Sequence, residues 1–148
     1  MSKIRALVVS GAATVVVAGC ASLGGKDAAR LATLDVVVTS EIAAGDIRMS
    51  LFKGAEAYNG GAPVDGRAAS LASGQATIRF EGLAPGLYAI RAFHDLNGNA
   101  ALDMNAVGVP TEPFAFSNDA PANFGPASFE AAAFEVRPGA NLHAMSIR

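Results

Sequence analysis

The sequence predicts an all-β fold, an antiparallel β-sandwich of about seven strands that follows a cleaved N-terminal signal segment. Three observations carry this. Short segments in which apolar and polar residues alternate recur from residue 34 to residue 147, the period-two signature of half-buried strands. Turn-forming pairs, Gly45-Asp46, Pro85-Gly86 and Pro138-Gly139, stand between them. Outside the first residues, no long segment shows the 3.6-residue apolar period of a helix.

Each element follows from its residues. Residues 34–39 are β-branched and short, and residues 47–53 place Ile47, Met49 and Leu51 on one face, so the two read as a hairpin across Gly45-Asp46. A polar, Gly- and Ala-rich stretch spans residues 54–74, with a helical turn expected near residues 67–72. Residues 76–81 alternate again, and residues 88–93 place Tyr88, Ile90 and Ala92 on one face, giving a second hairpin over residues 75–93. Residues 129–136 and 142–147 form a third pair across Pro138-Gly139. Strands at this spacing predict an immunoglobulin-like or transthyretin-like sandwich, with a closed barrel as the alternative. A dinucleotide-binding fold is excluded, because no glycine-rich turn follows a strand and opens a helix.

The N-terminus reads as an address. Lys3 and Arg5 precede an uncharged run over residues 6–18, too short for the roughly 20 apolar residues that span a bilayer and suited to a secretory signal. The run ends in Val17-Ala18-Gly19-Cys20, which resembles a bacterial lipobox: an aliphatic residue, two small ones, then the Cys whose thiol takes the lipid. Residues 1–19 are therefore expected to be a lipoprotein signal peptide. Residues 20–32 are expected to form the lipidated Cys20 and a flexible tether, and residues 33–148 the sandwich. Several acyl chains, palmitate among them, hold such a protein firmly on a membrane where one chain alone does not. Ala21, where the sorting pattern for retention has Asp, points to the outer membrane.

Composition narrows the partners. Without residues 1–19 the chain keeps nine Lys and Arg against thirteen Asp and Glu, so the mature protein is acidic, and no basic cluster exists to neutralise a nucleic-acid backbone. Cys20 is the sole Cys, which removes disulfides, thiol catalysis and thiolate metal sites from the folded part. A membrane through the anchor and a protein or glycan partner remain.

One segment carries candidate chemistry. Counting Asp95 as position 1, oxygen-bearing side chains fall at positions 1, 3, 5 and 9: Asp95, Asn97, Asn99 and Asp103. Position 7, which contributes a backbone carbonyl in calcium loops, is Ala101. A hard cation takes six to eight oxygens, and a tightly curled loop turns alternate residues inward. Position 6, usually Gly, is Ala100, and position 12, usually Glu, is Ala106. A third carboxylate would have to come from Glu112 or Asp119. A weak calcium site is expected, with roughly 0.1–1 mM affinity; the alternative is a loop ordered by Asx-type hydrogen bonds alone. His94 beside Asp95 raises a hydrolase as the alternative function, with Ser117, Ser128 and Ser146 as hydroxyl groups, none of them in a nucleophile-elbow context. Five of the eight Phe (114, 116, 124, 129 and 134) fall in the last third; they are expected to cover the open end of the sandwich.

Three motifs in order, Leu83-Ala84-Pro85-Gly86-Leu87-Tyr88, His94-Asp95-Leu96-Asn97-Gly98-Asn99 and Gly108-Val109-Pro110-Thr111-Glu112-Pro113-Phe114, resemble the bacterial family known as domain of unknown function 2141. The resemblance implies an exported β-sandwich and no assigned activity. It also implies Gly at the place of Ala100 and an acidic residue at the place of Leu96, two departures in this chain that bear on metal affinity.

Overall fold

The computed structural model describes residues 30–148. The expected signal segment, Cys20 and nearly all of the tether lie outside the described residues. Two sheets pack face to face. In the first, β1 (Ala32–Ser40) lies between β4 (Gln75–Leu83) and β8 (Gly139–Ile147). In the second, the order is β3 (Asp65–Ser70), β2 (Asp46–Lys53), β5 (Gly86–Asp95) and β6 (Phe114–Phe116), with β7 (Phe134–Val136) also paired to β5.

The alternation read from sequence sets the inner faces. Leu34, Val36 and Val38 on β1, with Ile78 and Phe80 on β4, face Ile47, Met49 and Leu51 on β2 and Tyr88, Ile90 and Ala92 on β5; all are buried in one core. Each fully buried large apolar side chain contributes roughly 1.5–3 kcal/mol, so this core dominates stability.

Pairing differs from expectation. All three expected hairpins are corners at which the chain crosses between sheets: β1 and β2, β4 and β5, and β7 and β8 each lie in different sheets. Alternation fixes which side chains point inward, and two consecutive strands satisfy it equally well as neighbours or as opposite layers. Local contacts favour the crossing. At the first corner Gly45 has φ +64° and approaches the Asp95 carbonyl so closely that a Cβ would stand 2.5 Å from its oxygen, a place only Gly can take. At the second, the Tyr88 hydroxyl donates to the Ala84 carbonyl at 2.7 Å, the bracing seen at tyrosine corners of sandwiches.

Three further features differ from the sequence expectation. The expected helical turn near residues 67–72 is strand β3, because the open edge of β2 takes residues 65–70 as its partner in spite of their weak β-propensity. Residues 129–136, expected as one strand, divide into helix α2 (Phe129–Ala132) and β7. The cause is Ser128, whose hydroxyl accepts the Ala131 N–H as an N-cap. The sheets are antiparallel save for one pair: β1 and β8 run parallel over nine residues, from Ala32 beside Gly139 to Ser40 beside Ile147.

A second core covers the outer face of the five-stranded sheet. Helix α1 (Gly54–Tyr58), α2 and a 3-10 turn at Ser117–Asp119 bury Phe52, Tyr58, Ala89, Phe116 and Phe129. The Arg91 guanidinium lies 4.4 Å from the Tyr58 ring centre and donates to the Tyr58 carbonyl at 2.6 Å. The late Phe rings, expected over the open end of the sandwich, take other places: Phe114, Phe116 and Phe129 pack on the outer face of the five-stranded sheet, Phe134 packs against the main core, and Phe124 stands fully exposed.

Candidate functional site: the loop pole

Residues 95–112 leave β5 at Asp95 and return to β6. Asp95 is buried and anchors the root. Its Oδ1 accepts the N–H groups of Gly98 (2.7 Å) and Asn99 (3.1 Å), and its Oδ2 accepts the Ala100 N–H (2.9 Å) and Arg48 Nε (2.7 Å). The Arg48 guanidinium, and secondarily the Ala100 and Gly98 amides, hold this carboxyl below its ordinary value of 3.8 against the opposing effect of burial. Glu112, also buried, clamps the loop from its far end, Oε1 accepting Leu96 N–H at 2.9 Å and Oε2 accepting Asp103 N–H at 3.3 Å.

The remaining expected ligands gather at the loop tip. Asn97 and Asn99 each accept an N–H two residues on, from Asn99 (3.0 Å) and Ala101 (2.9 Å). Their amide nitrogens both donate to the Asp103 carboxylate, at 2.5 Å and 3.0 Å. Asp95, Asn97, Asn99 and Asp103 therefore belong to one hydrogen-bonded cluster, in which Ala101 takes part through its N–H. Ala100 adopts φ +67°, the left-handed turn that position 6 of a calcium loop requires and that Gly normally supplies. Glu112 joins the loop as a clamp. Asp119 is spent elsewhere, accepting the Ser146 N–H and hydroxyl at 2.8 and 3.1 Å. Among the described residues no three His, Cys, Asp or Glu side chains form a metal-binding group.

His94 and Asp95 do not form a dyad. Successive residues of a strand point to opposite faces: His94 lies fully buried, with Nε2 2.5 Å from the Ala44 carbonyl and Nδ1 3.4 Å from Ser40 Oγ, while Asp95 turns to Arg48 and the loop. The imidazole ties the first corner to β5. The three hydroxyls are likewise structural: Ser128 caps α2, Ser146 meets Asp119, and buried Ser117 accepts the Ile90 N–H at 2.9 Å and donates to the Ala132 carbonyl at 2.5 Å.

What sequence reading did not locate is a groove beside the loop. Residues 102–110 and 122–126 enclose a cavity of about 580 Å³ over Phe114 and Phe116. Met104, Val107, Val109 and Phe124 line it while standing more than half exposed. Phe124 has φ +53°, a strained conformation for an aromatic residue. Its backbone thus holds the ring at the groove mouth at an energetic cost. Only the apolar residues in a Gly-, Pro- and Asn-rich stretch signalled the groove, and such residues read equally well as loop packing.

A family model described as "Uncharacterized protein conserved in bacteria (DUF2141)" matches residues 36–143. That span runs from β1 to β8 and contains the whole loop and groove. No curated protein matches the chain, and no solved structure matches it. The match covers well over half of the sequence, both sheets and the loop pole, and the chain belongs to this DUF2141 family of bacterial proteins.

Proposed function

We propose that the protein is an exported binding module, acylated at Cys20 and held on the outer membrane by that anchor, whose groove at the loop pole receives an apolar group of a partner. The observation that carries this reading is the gathering of Met104, Val107, Val109 and Phe124, all exposed, around one cavity of about 580 Å³. That volume lies within the roughly 300–1,000 Å³ of ligand sites. Exposed apolar groups concentrated in this way mark interaction surfaces. Order in one wall supports it too: Glu112 holds the Asp103 N–H, and Asn105 Oδ1 accepts the Val107 and Val109 N–H groups, which reduces the ordering entropy lost on binding. The chain enters at Ala32, whereas Ser40, at the other end of β1, reaches His94 at the loop root. A nine-residue strand spans roughly 30 Å, so the tether enters at the pole opposite the groove.

The test uses the chain from Ala21 onward, which retains both cores, and the neutral dye Nile red. Saturable binding that is lost in Phe124→Ser with Val107→Ser, at unchanged circular dichroism, supports the groove. Absence of saturable binding overturns it. For the anchor, radiolabelled palmitate incorporated by the full chain and abolished by Cys20→Ala is the expected result; labelling that persists in the variant defeats it.

A second reading assigns the loop a weakly bound calcium ion, held by Asp95, Asn97, Asn99, the Ala101 carbonyl and Asp103. The turn at Ala100 favours it, and the donors are all hard oxygens. Each Asn amide oxygen that accepts one N–H retains a second lone pair, whereas both Asp95 oxygens already accept two donors each, so Asp95 would exchange one of them for the ion. At about ten times the dissociation constant, calcium adds roughly 1.4 kcal/mol, a rise of a few degrees in Tm at this size. Magnesium should reproduce little of it. An unchanged Tm at about 10 mM calcium, well above the roughly 1 mM limit of such sites, removes the reading.

A further inference from the structure

We propose that the occupant of the groove is a peptide segment in which apolar side chains are flanked by lysines or arginines; this rests on the binding-module reading above. Charge complementarity favours such a segment. Between Arg91 and Arg137 the chain has no Lys or Arg, yet it carries Asp95, Asp103, Glu112, Asp119, Glu130 and Glu135. Arg48 neutralises Asp95 and Arg137 neutralises Glu135. Among the described residues the other four form no ion pair, the remaining pairs being Arg67 with Asp65 and Arg79 with Asp35.

Two of those four stand beside the cavity without lining it. Asp103 stands between the lining residues Leu102 and Met104, its carboxylate engaged only by the two Asn amides. Asp119 lines a neighbouring depression that shares Phe114, Phe116 and Ala122 with the groove. Arg148 lines that same depression, where the Asp119 carboxylate also accepts the Ser146 N–H and hydroxyl while keeping its charge. Apolar walls with an acidic rim suit an apolar plug with cationic shoulders, and complementary charge of this kind speeds encounter and selects partners.

The same features argue against other occupants. The lining presents hydrocarbon and aromatic rings and lacks the side-chain donors and acceptors that a glycan requires. An anionic bilayer would meet the acidic rim with repulsion, and the tether enters at the far pole.

The test compares two fluorescent peptides on the chain from Ala21 onward: a Leu-Phe-Leu centre flanked by lysines, and the same centre flanked by glutamates. The lysine-flanked peptide is expected to bind about tenfold tighter, as one or two weakly screened ion pairs would give. The advantage should shrink as salt rises from about 50 to about 500 mM, and again in Asp103→Asn with Asp119→Asn. Equal affinity for the two peptides overturns the proposal, as does preference for glutamate or insensitivity to salt. Nile red binding with neither peptide bound defeats the charged-peptide inference and leaves the groove standing, whereas loss of both defeats the groove itself. Binding to vesicles of anionic phospholipid in preference to the lysine peptide would assign the surface to membrane and refute the proposal.

Discussion

Arg48 on β2 and Asp95 at the end of β5 meet with Nε 2.7 Å from Oδ2, the carboxylate fully buried and the guanidinium about one-third exposed. The pair joins two neighbouring strands at the point where the 95–112 loop departs, and the same carboxylate collects three loop amides. One group thus links sheet geometry to loop geometry.

Acid should loosen this root first. The Asp95 carboxyl titrates below 3.8 in the folded state, so the unfolded chain binds the proton more readily. Its stabilisation is complete above that value and is lost as pH falls through the folded pKa. In melting scans below pH about 4, Asp95→Asn should flatten the acid limb relative to the parent and lower Tm at neutral pH. An unaltered acid limb would show that the carboxylate does not hold the loop.

Ser117 fills a missing rung. β6 pairs with residues 91–93 of β5 and β7 with residues 86–88, and in the gap the Ser117 hydroxyl accepts the Ile90 N–H and reaches across to Ala132. Ser117→Ala leaves a buried donor and a buried acceptor without partners, at a cost of about 1–3 kcal/mol. Urea denaturation measures this directly, and hydrogen exchange at the Ile90 amide should accelerate.

Ala100 occupies a left-handed conformation that disfavours any residue with a Cβ. Ala100→Gly should therefore stabilise the domain by on the order of 1 kcal/mol, the reverse of the usual effect of adding Gly. Thermal melting decides it. If calcium binds, the same variant should strengthen the response by relieving the turn.

His143 gives a second pH effect near neutrality. Its ring stacks on Phe134 at 4.1 Å and accepts the Asn118 N–H at 3.4 Å. Burial pulls its pKa below 6.5, with the Asp119 charge pulling weakly the other way. The unfolded state therefore binds the proton more readily, so stability is full above 6.5 and declines as pH falls towards the folded value. His143→Gln should remove the slope between pH about 7 and about 5, as followed by Tm.

Sequence alternation located β1, β2, β4 and β5 and the inward set Ile47, Met49, Leu51, Tyr88, Ile90 and Ala92, because period two is a local property. Partnership is not local. Val38 and Ile47 point into the same core from opposite sheets, and nothing within residues 39–46 declares which side of the core the next strand will take. β3 was illegible for a related reason: Arg67, Ala68 and Ala69 become a strand because β2 offers an edge. At the site, the Asp95, Asn97, Asn99 and Asp103 spacing was readable because Asx chemistry operates over a few residues. The partnership of Asp95 with Arg48, 47 residues away, was not, nor was the exposure of Met104, Val107 and Phe124, which depends on where two separate loops fall.

The parallel seam between β1 and β8 bears on how the chain reaches its native state. The central strand of one sheet is made early and its partner last, so a chain growing from its N-terminus leaves a row of β1 amides and carbonyls unpaired until residue 147 emerges. Closure over so long a separation is slow, and an uncovered edge invites pairing with other chains. Truncation before β8 would thus yield a sticky half-sheet, and a holdase engaging β1 during that interval would be protecting this one seam.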